Sequence, residues 1–208
     1  MRKPIVSIGE IGVSVGDRDY LFRPSLSAMD SLGSPREIVE KFTTLFEPPK
    51  INPIWPTQSY RAWEREVSSI AYDVLMACCD DDVTPLIGHM GTRWGSFVMG
   101  AMPVDDMIHL ARSLIRHGII GLKPEGMLAK PPEEEYTAEF KAREFVSQAV
   151  AHLGMSTADA WNLTMTEFSG AMQSKFGKPE TLPTIDEHDE AMSRLAEINK
   201  LRQNQVKK

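Results

Sequence analysis

Histidines and cysteines are the residues of this sequence best suited to acid–base, nucleophilic or metal chemistry: His89, His109, His117, His152, His188, Cys78 and Cys79. His109 and His117 share a segment with helical periodicity, and eight residues correspond to about 12 Å along a helix. That separation is too large for one metal ion. No metalloprotease, P-loop, nucleophile-elbow or C-x-x-C motif surrounds any of them. The histidines therefore predict neither a metal centre nor a catalytic base.

Cys78 is followed closely by Asp80, Asp81 and Asp82. A cysteine nucleophile needs an electropositive environment to form its thiolate, so three carboxylates disfavour that role. The aspartates lack the spacing of a calcium loop and are typical of a solvated turn after a helix. A bridge between the adjacent Cys78 and Cys79 would be strained, and we expect buried, reduced thiols. The sequence therefore predicts no catalytic residues, no metal and no cofactor, so not an enzyme.

Composition narrows the range of partners. The 208 residues are 42% hydrophobic and carry a formal net charge of -6, which counts against binding to nucleic acid or to an anionic membrane. No apolar run approaches the roughly 18 residues that span a bilayer, and Met1-Arg2-Lys3-Pro4 is not followed by a signal-peptide core. These features predict a cytoplasmic protein. Most of the 12 methionines are expected in the core, and their excess favours a protein that binds other proteins.

The elements that would position these residues begin with a β-hairpin. Val13–Val15 and Tyr20–Phe22 flank a polar turn, and helical patterns follow. Ser34, Pro35 and Glu37 form a helix start with a capping box. The predicted fold class is mainly α, multi-helix globular, with a small N-terminal antiparallel β-hairpin.

Two helical faces and several breaks divide the rest of the chain. Apolar residues recur at helical spacing from Val67 to Cys78 and from Val104 to Ile115, with Gly118 as the expected stop of the second helix. Residues 48–58 place prolines around Trp55 and predict an ordered loop or linker, while residues 83–102 show no assignable pattern. The predicted segments are 1–47 (hairpin plus helix), 48–132 (helical middle), 133–180 (C-terminal helices) and 181–208 (a polar tail, partly disordered).

Two short helices are predicted to meet at a corner near the C-terminal end. Ser156 and Asp159 begin the first helix, and Thr164 and Glu167 form a capping box for the second. Trp161 lies beside this corner. Two roles are open for it, a core residue that anchors the corner and an anchor that faces a partner, and the two are compatible.

Two segments resemble a known family. The segment Val13–Met29, a hairpin followed by Arg23-Pro24-Ser25 and a helix, resembles the opening of some tail assembly chaperones of long-tailed bacteriophages. Leu153–Phe168 is the stronger match, because those chaperones often carry a Trp, spacer, Thr, spacer, Glu segment before a final helix. Residues 48–135 lie outside the resemblance.

The resemblance implies a non-enzymatic chaperone of viral morphogenesis. Such proteins coat the tape measure protein in the host cell cytoplasm, recruit tail tube protein, and are absent from the finished virion. The implied partners are the tape measure protein and the tail tube protein, without nucleic acid or membrane, and self-association into a homo-oligomer stays open. The expected partner-binding residues lie at the corner: Trp161, Met165, Phe168 and Met172.

Two other interpretations stay open from the sequence. The first is a structural phage component, such as a minor tail or head–tail connection protein. The second is an enzyme of an unrecognised kind, which would require a pocket that gathers His89, His109, Cys78 or the Asp80–Asp82 cluster.

Overall fold

The computed structural model describes residues 2–90, 97–121 and 139–177. The chain divides into two units, residues 1–172 and 173–208, and within the second the structure describes residues 173–177. The predicted boundary at residues 132 and 133 and the predicted tail 181–208 lie outside the described residues.

A two-stranded hairpin opens the fold, as predicted. Strand β1 (Ile11–Val15) pairs antiparallel with β2 (Arg18–Phe22), and Val15 lies opposite Arg18 across the tight turn. Tyr20 and Phe22 are buried, so alternate side chains of β2 face the helices. A single 3-10 turn, Val6–Ile8, precedes the hairpin.

Helices form most of the remaining described chain, which confirms the mainly α prediction. A pair of two-residue strands, β3 (His89–Met90) and β4 (Phe97–Val98), forms a second antiparallel ladder. Turns with π-helical hydrogen bonding, Arg116–Ile120 and Ala149–Leu153, extend two of the helices. The helices are α1 (Leu26–Asp30), α2 (Pro35–Phe46), α3 (Pro56–Cys78), α4 (Thr84–Ile87), α5 (Val104–Ile115), α6 (Ala142–Gln148), α7 (Thr157–Asn162) and α8 (Met165–Phe176).

The core lies where α3 and α5 pack together, and α1 packs against α3 as well. The predicted inward faces of both long helices are confirmed, because the side chains at helical spacing are the buried ones. They are Val67, Ile70, Ala71, Val74, Leu75 and Cys78 in α3, with Met107, Ile108, Ala111, Leu114 and Ile115 in α5. Among the described residues, no helix has the length and apolar character needed to cross a membrane.

The predicted stop of α5 at Gly118 is wrong. Helical backbone continues to Ile120, and Gly121, with a φ of 73°, ends it. Gly118 is buried, and a Cβ there would lie 2.8 Å from Cγ of Met29. The missing side chain therefore serves close packing against α1 rather than helix termination.

Candidate partner-binding site

The predicted corner is formed by α7 and α8. The Ser156 hydroxyl accepts a hydrogen bond from the Asp159 amide at 3.1 Å and thereby caps α7. At the start of α8, the Thr164 hydroxyl accepts from the Glu167 amide at 3.2 Å, while the Glu167 carboxylate accepts from the Thr164 amide at 2.9 Å. Both local predictions are confirmed, because each cap depends on residues only three positions apart.

The expected partner-binding residues differ in accessibility. Trp161, Met165 and Met172 are partly buried and pack against the core, whereas Phe168 is only 5% exposed. The Phe168 ring meets Phe145 edge to face, with centroids 5.5 Å apart. Trp161, Met165 and Met172 are therefore accessible in part, whereas the expectation that Phe168 lies on an exposed surface is wrong, because its ring packs in the core.

Arg23 ties this corner to the N-terminal hairpin. Its Nε donates to the Asn162 carbonyl at 3.0 Å, and one terminal nitrogen donates to Glu167 Oε2 at 2.8 Å. The other terminal nitrogen donates to Glu10, whose side chain is completely buried. One guanidinium therefore links three parts of the chain, and Arg23 and Glu167 are 144 residues apart in sequence.

Backbone contacts reinforce that tie. The Leu26 amide donates to the Leu163 carbonyl at 2.8 Å, and Ser25 and Thr164, both buried, form an isolated antiparallel β-bridge. Residues 13–29 and 153–168, the two segments that carry the family resemblance, are thus brought into direct contact. They form one substructure rather than two unrelated motifs.

Glu10 is held as a carboxylate at the centre of this substructure. Burial acts to raise its pKa, but the Ile5 amide at 2.9 Å and the guanidinium groups of Arg2 and Arg23 hold the pKa below its usual value. A fully buried charge is tolerated here because each carboxylate oxygen has a donor. The sequence showed no sign of this role, since Glu10 has no local capping or pairing pattern.

His117 lies between Gly9, which precedes the hairpin, and Thr166 in α8. Its Nδ1 lies 3.0 Å from the Thr166 hydroxyl, and burial together with the charge of Arg116 lowers its pKa. Gly9, with a φ of 93°, lies directly behind the imidazole, and a Cβ there would come within 2.5 Å of the His117 Cβ. His117 thus links the π-helical turn that follows α5 to the first turn of α8 by a side-chain hydrogen bond.

A second apolar surface precedes and begins α3. Ile54 is 73% exposed and Trp55 is 59% exposed, and Tyr60 lies on the first turns of the helix. The Tyr60 and Trp63 rings are in contact, with centroids 5.6 Å apart. We call Trp55, Tyr60 and Trp63 the aromatic stripe. The sequence predicted an ordered loop or linker over residues 48–58, but α3 begins within it at Pro56. Tyr60 and Trp63 lie beyond that predicted loop.

The residues named by the enzyme hypothesis differ in their exposure. Cys78 is buried in the core, and burial raises the pKa of its thiol. His89, His109 and the Asp80–Asp82 cluster are exposed. Both cysteines are free, as expected, and the described residues contain no group of three or more His, Cys, Asp or Glu able to hold a metal ion.

The sequence matches a family model over most of its length. A family model described as "Family of unknown function (DUF6246)" matches residues 22–190. The chain belongs to the DUF6246 family. The DUF6246 region begins at the last residue of β2 and contains both Arg23 and Glu167, while Glu10 precedes it. No curated protein and no solved structure matches the chain.

Proposed function

We propose that this protein is a non-enzymatic phage tail assembly chaperone that binds the tape measure protein in the host cell cytoplasm and promotes tail tube assembly. The proposal rests on the resemblance of residues 13–29 and 153–168 to such chaperones. The observation that supports it is the direct contact between these segments through Arg23, Glu167 and the Leu26–Leu163 hydrogen bond.

The corner has properties suited to an extended, mostly helical client. Trp161, Met165 and Met172 are partly exposed, so the corner offers an aromatic anchor and two flexible thioether side chains that adapt to irregular apolar surfaces. The Ser156 cap, the Thr164–Glu167 capping box and Arg23 hold the backbone of the corner in place, so little ordering is needed when a client binds. The net charge of -6 favours solubility of the free chaperone.

A co-expression pull-down tests the proposal. The tagged chain is expressed with the tape measure protein of the same phage, beside the variants Trp161→Ala and Trp55→Ala. We expect capture by the wild type, at least tenfold weaker capture by Trp161→Ala, and unchanged capture by Trp55→Ala, since a central aromatic anchor carries a large share of binding energy. Circular dichroism checks that each variant folds.

Two results would count against the proposal. Absence of capture by the wild type removes its central claim and favours the structural-component alternative, which regular self-assembly in solution would then support. Stoichiometric presence of the protein in purified virions also contradicts an assembly chaperone.

A further inference from the structure

The first half of α3 differs from the second half in its surroundings. Residues 56–66, about three helical turns, contain no buried residue, whereas from Val67 onward one face is buried in the core. The N-terminal half of this 23-residue helix is therefore less covered by the core than the other half, although Trp63 is partly buried and packs against the core.

The aromatic stripe continues the buried face of α3 into this uncovered half. Trp63 precedes Val67 by four residues and Ile70 by seven, and Tyr60 precedes Val67 by seven, so all lie on one side of the helix. The Trp63 Nε1 is shielded from solvent and has no hydrogen-bond partner among the described residues. An amphipathic face of this kind is stabilised when another element covers it.

An acidic depression lies farther along α3, beginning at Glu66, three residues after Trp63. It lies between α2 and α3, has a volume of about 470 Å³, and contains Ile70, which belongs to the same helix face as Trp63. Its charged residues are mainly carboxylates. They are Glu37, Glu40, Glu66 and Asp73, with Lys41 as the cation.

The charges of this depression are only partly neutralised. Lys41 pairs with Asp73 at 2.9 Å, and Glu40 pairs with the exposed Arg36 at 3.1 Å. Glu66 has no ion pair among the described residues, and hydrogen bonds from Ser34 keep the pKa of Glu37 low. The rim beside the stripe therefore stays negative at neutral pH.

We propose that the aromatic stripe and the acidic depression together bind a helical segment of another protein, one that presents an apolar face flanked by lysine or arginine. In α3, Tyr60, Trp63 and the buried Val67 stand at positions i, i+3 and i+7, which is the spacing by which helices pack on helices. A second copy of this chain fits poorly, because it would bring its own acidic depression and its net charge of -6 to the interface. The proposal is independent of the tape measure function, since it uses none of the corner residues.

Two synthetic helical peptides provide the probes. Both carry the same leucine and tryptophan face, and they differ in their flanking positions, which are lysine and arginine in one peptide and glutamate in the other. Binding of each labelled peptide to the full chain is measured by fluorescence anisotropy. We expect the basic peptide to bind at least tenfold more tightly than the acidic one, with weaker binding as the salt concentration rises.

Substitutions locate the binding. We expect Trp63→Ala to weaken binding of the basic peptide at least tenfold. Tyr60 has a side chain that is 46% exposed and lies outside the core, and we expect Tyr60→Ser to weaken this binding at least threefold. We expect Glu66→Lys to weaken binding of the basic peptide and to strengthen binding of the acidic peptide. Trp161→Ala is the control and leaves both affinities unchanged, and circular dichroism confirms folding.

Several results would overturn this inference. Equal affinity for the two peptides, no binding of either, or unaltered binding by both Tyr60→Ser and Trp63→Ala would each exclude the proposed surface. A wild-type dimer in analytical ultracentrifugation that Tyr60→Ser dissociates would make a second copy the occupant instead. None of these results bears on capture of the tape measure protein through Trp161.

Discussion

Replacing Arg23 with methionine is the most direct perturbation of the tie between hairpin and corner. The substitution keeps a long apolar stem and removes the guanidinium that donates to Glu10, Glu167 and the Asn162 carbonyl. Its main effect falls on Glu10, because that carboxylate is completely buried and would lose one of its donors.

The size of the effect can be bounded from the contacts. Removing one partner of a buried ion pair destabilises a protein by about 3–5 kcal/mol. Glu10 retains the Ile5 amide and Arg2, and the Arg23 side chain is 28% exposed, so part of the lost interaction is replaced by water. We therefore expect Arg23→Met to lower the free energy of unfolding by about 2–3 kcal/mol.

Urea unfolding at pH 7, followed by circular dichroism, measures this change from the shift of the transition midpoint. Arg36→Met is the matched control, because Arg36 also pairs with a glutamate but both side chains are largely exposed. Its expected cost is below about 0.5 kcal/mol. If the two variants lose the same stability, or if Arg23→Met and Glu10→Gln prove additive in the double mutant, the network does not stabilise the fold as argued.

Acid titration, backbone strain and thiol accessibility provide three further tests. The pKa of Glu10 is lowered in the folded state, so its stabilisation is present above the unfolded pKa and is lost as the pH falls through the folded value. Urea midpoints of the wild type should therefore fall more steeply from pH 5 to pH 3 than those of Glu10→Gln, and parallel slopes would contradict this. Gly9→Ala combines a positive φ with a clash against an imidazole and should cost about 2–4 kcal/mol, whereas Gly154→Ala, with open space around it, should cost about 1–2 kcal/mol. Thermal unfolding compares the two variants, and equal losses would remove the steric argument. The Cys78 thiol should react with a thiol reagent only after urea unfolding, and fast labelling of the native protein would contradict its burial.

Local interactions of the fold were predictable, and interactions between distant segments were not. Ser34 with Glu37 and Thr164 with Glu167 form their capping boxes as expected, because each pair is only three residues apart. Gly118 resembled a helix stop in the sequence, but its packing partner Met29 lies in another element and gave no signal there.

At the two candidate surfaces too, local features were predictable from the sequence and contacts between distant segments were not. Trp161 was recognised because it sits beside two local capping patterns, but Phe168, one turn into α8, is in the core because α6 supplies Phe145 against it. The aromatic stripe has the periodicity of a buried face. Its exposure depends on where the covering helices end, which periodicity does not encode.

Because a ribosome makes the chain from its N-terminus, the hydrogen bonds of Arg23 can be completed only late in synthesis. Glu10 and Arg23 emerge early, whereas Asn162 and Glu167, which complete the coordination of the guanidinium, emerge after most of the protein has been made. The Arg23 guanidinium of a nascent chain consequently lacks two of its three partners until Asn162 and Glu167 are synthesised, although the Arg23 amide can donate to the Cys78 carbonyl much earlier. In chains that end before Asn162, the Arg23 guanidinium would keep only Glu10 among these three partners.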